Sequence, residues 1–402
     1  MRVEIKPSVA SGSVRVPSSK SMAHRLLICA AMSDGVSTVR GISSCEDVTA
    51  TLSCLSALGI KAEKNGDDVT VWGRDLKTVT PIAPLDCHES GSTLRFLIPL
   101  ALLSGKTTMF YGEKSLLRRP MDVYDKLCRE SGMTFINDGA SITVKGPLEG
   151  GVFEVVGNIS SQFISGLLFA LPLCKEDSLI KIVSPIESRS YIDMTLMALE
   201  AFGVKAYWKD EHTLAVKGSQ RYIASDVYVE GDYSGAAFPD ALNLFSGKVE
   251  IVGLNPESIQ GDRVYKKYFD MLCAGVPSIH IGDCPDLGPI LFAVAAAKYG
   301  GIFSETKRLK IKESDRAAAM AEELEKFGAA VTVHEDSVVV YPADFHAPTE
   351  PLYGHNDHRI VMALSVLLTV TGGEIEGAEA VAKSYPEFFS HLEALGIEVI
   401  RK

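Results

Sequence analysis

Leu58-Gly59-Ile60, followed shortly by Val69-Thr70-Val71, is the stretch that decides the fold. An apolar residue and a glycine end a helix, a strand follows, the chain turns, and a second strand returns. The pattern comes back as Ser131-Gly132-Met133 with Ile142-Thr143-Val144, and as Phe202-Gly203-Val204 with Leu214-Ala215-Val216. It returns again as Phe327-Gly328-Ala329 with Val338-Val339-Val340, while Ala274-Gly275-Val276 and Leu395-Gly396-Ile397 read as shortened copies. Glycine suits this place because the position just past a helix end takes left-handed dihedrals. Successive glycines lie 73, 71, 72, 53 and 68 residues apart.

A second landmark keeps the same interval. Six polar clusters each open an apolar helix: Ser18-Ser19-Lys20-Ser21, Ser90-Gly91-Ser92-Thr93, Ser160-Ser161-Gln162, Asp232-Tyr233-Ser234-Gly235, Asp286-Leu287-Gly288 and Asn356-Asp357-His358-Arg359. Their first residues are spaced 72, 70, 72, 54 and 70. Two landmarks in step predict six α/β units. One unit is too small to cover both faces of its sheet, so three are expected to cluster in each of two domains. No Gly/Ser-rich or Pro-rich linker separates the halves, which predicts a short hinge of crossing strands.

Composition narrows the class. The chain has 402 residues, 46% hydrophobic and 23% charged, as in ordinary globular proteins. Its net charge of −11 argues against a general nucleic-acid or membrane-surface binder, which needs basic excess to neutralise phosphates. The apolar stretches around Phe96–Leu103 and Val361–Val370 are too short to span a bilayer. Met1-Arg2-Val3-Glu4-Ile5 runs straight into strand-like alternation without a signal-peptide core, so a cytoplasmic location is expected. Eight cysteines show no CxxC pair and no Cys/His ligand spacing, so neither a metal site nor a disulfide framework is expected.

Cations gather at the helix openings of this acidic chain. Lys20 and Arg25 flank the first, Arg95 follows the second, and Arg118-Arg119-Pro120 punctuates the first half. The run Lys307–Arg316 reads as opening a helix, with Lys312 and Arg316 four apart on one face and Glu313 three before Arg316. Arg359 and Lys383 follow. Taken singly, each polar opening reads as a helix cap and the 307–316 run as a solvated charged face. Six openings in register, several beside a cation, point instead to a shared anion pocket at helix N-termini.

On these residues the sequence resembles the EPSP synthase family, the enolpyruvyl transferases acting on shikimate 3-phosphate. The resemblance covers essentially the whole chain. It rests on Ser19-Lys20-Ser21 with Arg25, Ser90-Gly91-Ser92-Thr93-Leu94-Arg95, Arg119-Pro120-Met121, Ser160-Ser161-Gln162, Lys312-Glu313-Ser314-Asp315-Arg316, Asn356-Asp357-His358-Arg359 and Lys383-Ser384-Tyr385-Pro386. It implies an α/β fold of two similar domains, each of three βαβαββ units in an inside-out α/β barrel, with helix N-termini facing the interdomain cleft. The first strand then crosses over: residues 1–17 join 228–402 as the C-terminal domain, 18–227 form the N-terminal domain, and the active site lies in the cleft.

The implied reaction moves the enolpyruvyl group of phosphoenolpyruvate onto the 5-hydroxyl of shikimate 3-phosphate, releasing phosphate. Two phosphates and two carboxylates must then be neutralised, which suits Arg forks, Lys charges and Ser donors. The resemblance puts shikimate 3-phosphate on Lys20, Ser21, Arg25, Ser160, Ser161, Gln162, Ser188, Asp286 and Lys312. It puts phosphoenolpyruvate on Lys20, Gly91, Arg119, Gln162, Arg316, Arg359 and Lys383. In the resemblance Asp286 matches the base for the hydroxyl, and Glu313, shared with Lys20, the acid for the methylene carbon. From the residues alone, Asp286 also reads as a helix cap and Glu313 as an ion-pair partner of Arg316. The roles of His358 and Arg308 are left open. No cofactor or metal is implied, and a monomer acting on small molecules is expected, without nucleic acid or membrane.

The sequence alone leaves two rival readings. The sister enzymes that transfer enolpyruvyl to a UDP-aminosugar share the fold, but their Lys-Asn opening and loop cysteine are absent; Glu113–Met121 holds no cysteine. A non-catalytic sensor of phosphorylated metabolites is the other, and two carboxyl groups among the cations argue against it.

Overall fold

Five of the six repeat glycines end a helix in left-handed geometry, with φ of 75° at Gly59, 66° at Gly132, 75° at Gly203, 90° at Gly328 and 88° at Gly396. In each copy the next N–H reaches back into the last helical turn. Ile60 bonds to Leu55, Met133 to Cys128, Val204 to Leu199, Ala329 to Leu324 and Ile397 to Leu392, at 2.8–3.1 Å. That bond satisfies an orphan carbonyl and swings the chain off the helix into the strand. Gly275 is the exception. Its φ of 162° is extended backbone, and no hairpin follows it.

The computed structural model describes all 402 residues, Met1–Lys402, which divide into two units: Lys20–Glu230, and Met1–Ser19 with Gly231–Lys402. The unit Lys20–Glu230 carries helices α1 (Lys20–Met32), α2 (Glu46–Ala57), α3 (Gly91–Leu102), α4 (Lys114–Leu117), α5 (Asp122–Glu130), α6 (Ser161–Ala170) and α7 (Arg189–Ala201). Three four-stranded sheets follow one plan, a parallel pair and then a hairpin. Val36–Arg40 runs parallel to Val227–Tyr228 and antiparallel to Asp68–Trp72, which pairs with Lys61–Asn65. Thr107–Tyr111 takes the same place between Leu85–Asp86 and the hairpin of Ile142–Lys145 with Thr134–Asn137. Ser178–Ile182 takes it between Val152–Val155 and the hairpin of Thr213–Val216 with Ala206–Asp210. Helices α1, α3 and α6 are apolar nearly all round and are buried on nearly every side, as such helices must be. Phe96 of α3 meets Phe169 of α6 edge-on, ring centroids 5.3 Å apart.

The other unit carries α8 (Tyr233–Ala241), α9 (Tyr265–Ala274), α10 (Gly288–Ala297), α11 (Arg316–Glu325), α12 (His358–Thr371) and α13 (Phe388–Ala394). Gly301–Ser304 lies parallel to Ser278–His280 and antiparallel to Ser337–Val340, which pairs with Val331–Val333. The last repeat ends at Val399–Arg401 without a partner from its own hairpin. Arg2–Ile5 fills the gap, antiparallel to Val399–Arg401 on one side and Gly373–Glu376 on the other. Ser11–Arg15 likewise lies parallel to Lys248–Val252. The start of the chain is therefore part of this unit's core, with Val3 and Ile5 fully buried.

Ile5→Ala leaves a cavity in the middle of that sheet. Unfolding in urea should show a loss of about 2–5 kcal/mol, and a loss under 1 kcal/mol would mean the strand is peripheral.

Candidate active site

In the unit Lys20–Glu230 the cations sit where the helix openings meet. Ser90 caps α3 by accepting the Thr93 N–H, and Ser160 caps α6 by accepting the Gln162 N–H. Lys20, first residue of α1, pairs with Asp47 at 2.7 Å. Arg25 is 1% exposed and lies over the Phe96 ring, its donors taken by neutral oxygens: Thr195 Oγ1 at 2.8 Å, Ser21 O at 2.6 Å and Tyr191 O at 2.9 Å. Burial pushes its guanidinium down to about 10. A buried cation held by neutral groups is a place for an anion.

Next to it, Arg95 donates to Gln162 Oε1 at 2.8 Å and Gln162 donates to Ser92 at 2.9 Å, joining the first turns of α3 and α6. Gly91 is at the centre of this group. A Cβ there would stand 3.0 Å from Arg119 Nη1, 3.2 Å from Arg95 Nη1 and 3.5 Å from Gln162 Oε1. The missing side chain is what leaves the guanidinium edges accessible to a ligand. Ser161 lies in the first turn of α6, and Ser188 precedes α7 in the left-handed region at φ 58°, 1% exposed. Underneath, His24 Nδ1, Thr51, Thr93 and Ser90 form a chain of 2.7 Å hydrogen bonds that ties α1, α2 and α3 together.

In the other unit the centre is Arg316, 1% exposed and first residue of α11. Its Nε bonds Asp357 Oδ2, its Nη1 Asp286 Oδ1 and its Nη2 Glu313 Oε2, each at 2.8 Å. Asp286 also takes Lys312 at 3.1 Å and lies 3.6 Å from Arg359 Nη2. Burial pushes the Asp286 carboxyl up, but Lys312, Arg316 and Arg359 outweigh it and hold the group well below the usual carboxylate range. Burial lowers Lys312, against the pull of Asp286. Arg359 is 3% exposed, lies over the Phe238 ring, and has Nε and Nη1 buried without a hydrogen-bond partner. Two buried donors on a guanidinium suit it to receive an anion. Lys383 donates to Asn356 O at 2.6 Å, and Arg308, 6% exposed, donates to Gly282 O. His358 is buried with its Nδ1 3.9 Å from Asp357 Oδ1.

Two sequence readings are corrected here. Lys312 and Glu313 do not lie on the helix with Arg316: residues Lys307–Ile311 form a 3₁₀ turn, Lys312 is extended, and α11 starts only at Arg316, capped by Asp315. The dense positive run resists continuous helix, and an extended Lys312 can reach Asp286. Asp286 is not a helix cap either. It sits in the 3₁₀ turn Pro285–Leu287, and its carboxylate faces cations instead of amides. The ion pair of Glu313 with Arg316 is formed. The sequence reading missed Asp47 and Asp357 as partners of Lys20 and Arg316, and Arg95 as the group orienting Gln162.

Asp357→Ala strips Arg316 of its fully buried partner and α12 of its cap. Denaturant unfolding should show a loss of about 3–5 kcal/mol, the usual cost of leaving a buried charge unpaired. A loss near zero would mean Asp286 and Glu313 suffice.

The family model described as EPSP synthase (3-phosphoshikimate 1-carboxyvinyltransferase) matches residues 5–392. Relatives named 3-phosphoshikimate 1-carboxyvinyltransferase from Clostridium beijerinckii and Clostridium kluyveri are each 38% identical; the first match spans 98% of this chain and 97% of that protein, the second 99% and 98%. Two solved structures of EPSP synthase from Acinetobacter baumannii share the fold over 100% of both chains, with TM-scores of 0.78 and 0.80 at 23% and 22% identity. Both clusters lie within the matched span, and the chain belongs to the EPSP synthase (3-phosphoshikimate 1-carboxyvinyltransferase) family.

Proposed function

We propose that the two clusters serve one reaction, the transfer of the enolpyruvyl group of phosphoenolpyruvate to the 5-hydroxyl of shikimate 3-phosphate. The chain is a transferase of aromatic-precursor biosynthesis by family. The hydroxyl oxygen adds to C2 of phosphoenolpyruvate while C3 gains a proton, giving a tetrahedral intermediate. Loss of phosphate from C2 and of a proton from C3 then restores the double bond in the product.

In this reading Lys20, Ser21, Arg25, Ser160, Ser161, Gln162, Ser188, Asp286 and Lys312 take shikimate 3-phosphate. Lys20, Gly91, Arg119, Gln162, Arg316, Arg359 and Lys383 take phosphoenolpyruvate. Asp286 accepts the hydroxyl proton, and Glu313, with Lys20, delivers the proton to C3. The observation that carries the reading is Arg359: two buried donors without a partner, on a guanidinium 3.6 Å from the carboxylate assigned as base. The two units would be the two domains of the family's fold. No helix is long and apolar enough to cross a membrane; a monomer working in the cytoplasm on small acids completes the proposal.

Phosphate release tests it, with phosphoenolpyruvate plus either shikimate 3-phosphate or UDP-N-acetylglucosamine. Turnover is expected with shikimate 3-phosphate alone, and Asp286→Ala should lower kcat by about 10²–10⁴-fold, the usual contribution of a general base. Turnover only with the aminosugar would transfer the chain to the sister activity. Binding of shikimate 3-phosphate without turnover would favour the sensor.

Gly91→Ala gives a second check. Its Cβ would meet Arg119 Nη1 at 3.0 Å, so the far ends of flexible side chains must shift. KM for phosphoenolpyruvate should rise about tenfold while shikimate 3-phosphate affinity changes little, a split readable in steady-state kinetics and calorimetry.

A further inference from the structure

The chain enters α12 through two consecutive non-glycine residues in the left-handed region, His355 at φ 49° and Asn356 at φ 51°. Such pairs persist only where the surroundings over-determine them, and they gather at functional sites. Here the short loop aims three of the cations assigned to phosphoenolpyruvate. Its last residue, Asp357, holds the Arg316 guanidinium and caps α12 by accepting the Arg359 backbone N–H at 2.9 Å, which fixes where the Arg359 side chain starts, and the carbonyl of Asn356 accepts from Lys383 Nζ.

What fixes the loop is Glu323. This carboxylate on α11 is fully buried, and it accepts the Tyr353 N–H and the His355 Nε2–H, each at 2.9 Å. Lys326, one turn on, compensates its charge at 3.1 Å. Arg316 and Glu323 are seven residues apart, two turns along one side of α11 and about 10 Å apart along its axis. One helix therefore grips the loop at both ends, at Tyr353–His355 through Glu323 and at Asp357 through Arg316.

We infer that Glu323 is a positioning residue for phosphoenolpyruvate, holding the left-handed turn His355–Asn356 so that Arg316, Arg359 and Lys383 present their charges in register. It touches no substrate in this assignment and acts through the loop. The inference rests on the proposed phosphoenolpyruvate set. Glu322, Glu323 and His355 bring ligand atoms within 4.8 Å of one another, as a metal site would. Glu322 is exposed, however, and the Glu323 charge is already matched by Lys326, which favours a clamp over a cation site.

The test compares Glu323→Ala, Glu323→Gln, His355→Ala and Arg359→Ala with wild type. Readouts are kcat, KM for phosphoenolpyruvate, the dissociation constant of shikimate 3-phosphate alone, and melting temperature. Glu323→Ala should raise KM for phosphoenolpyruvate about tenfold or more, with shikimate 3-phosphate affinity kept within about twofold. Glu323→Gln, which can still accept from Tyr353, should recover most of that loss, and His355→Ala should give a smaller rise. Unchanged KM in Glu323→Ala, or in His355→Ala should Glu323→Ala not fold, with only melting temperature lowered, overturns the inference. An Arg359→Ala enzyme with unaltered KM would instead overturn the phosphoenolpyruvate assignment beneath it. Wild-type activity lost on dialysis against EDTA and restored by zinc would make the group a metal site and also overturn the clamp.

Discussion

A guanidinium with no access to water must be neutralised from within, and Arg316 is neutralised three times. Its carboxylates come from three separate segments: Asp286 ahead of α10, Glu313 just ahead of α11, and Asp357 ahead of α12. Removing a charge from water is so costly that the arrangement is held only if every partner stays in place. One side chain therefore locks the openings of three helices to each other, and any slip of one would strand a buried charge. The left-handed approach to α12 and the grip of Glu323 on it follow from the same demand.

The most deeply buried cations of the two units, Arg25 and Arg316, are handled in opposite ways. Arg25 is held by a hydroxyl and two carbonyls, dipoles that satisfy its donors without cancelling its charge. Arg316 and Lys312 face carboxylates. An anion arriving at Arg25 displaces no competing negative charge, whereas one arriving at Arg316 must share it with the chain's own acids. The first arrangement suits tight holding of a phosphate. The second suits a place where charge is to be redistributed during a reaction, because its fields are strong and nearly balanced.

The repeat was legible because its cause is local. A helix that must turn into a strand needs a left-handed residue, and glycine marks that need in the sequence wherever it arises; at Gly275, where the backbone is extended, the mark is present without the turn. The helix openings were legible for the same reason, with Ser90, Ser160, Asp232 and Asp357 each capping a helix. Asp286 reads as a cap from sequence because a carboxylate before an apolar helix looks the same whether it faces amides or cations. The i,i+4 spacing of Lys312 and Arg316 suggests a helix, whereas the partner of Lys312 is Asp286, 26 residues away. Asp47, Glu323 and the chain His24–Thr51–Thr93 carry no pattern at all. Their meaning lies in what they touch across 27 to 46 residues of sequence or more, and only the fold supplies that.

The charge on Asp286 carries one further consequence for the proposed reaction. A carboxylate held well below its ordinary range by Lys312, Arg316 and Arg359 is a poor base, because each cation that stabilises its charge weakens its pull on a proton. Yet these cations are the groups assigned to the substrates' phosphates and carboxylates. When Arg316 and Arg359 turn part of their charge to phosphoenolpyruvate, and Lys312 to shikimate 3-phosphate, the field that suppresses Asp286 weakens while its burial remains. Burial alone raises a carboxyl group toward the proton it must take. In the proposed assignment, basicity at Asp286 would therefore rise as the substrates bind, and the cations assigned to the ligands would hold it down in their absence.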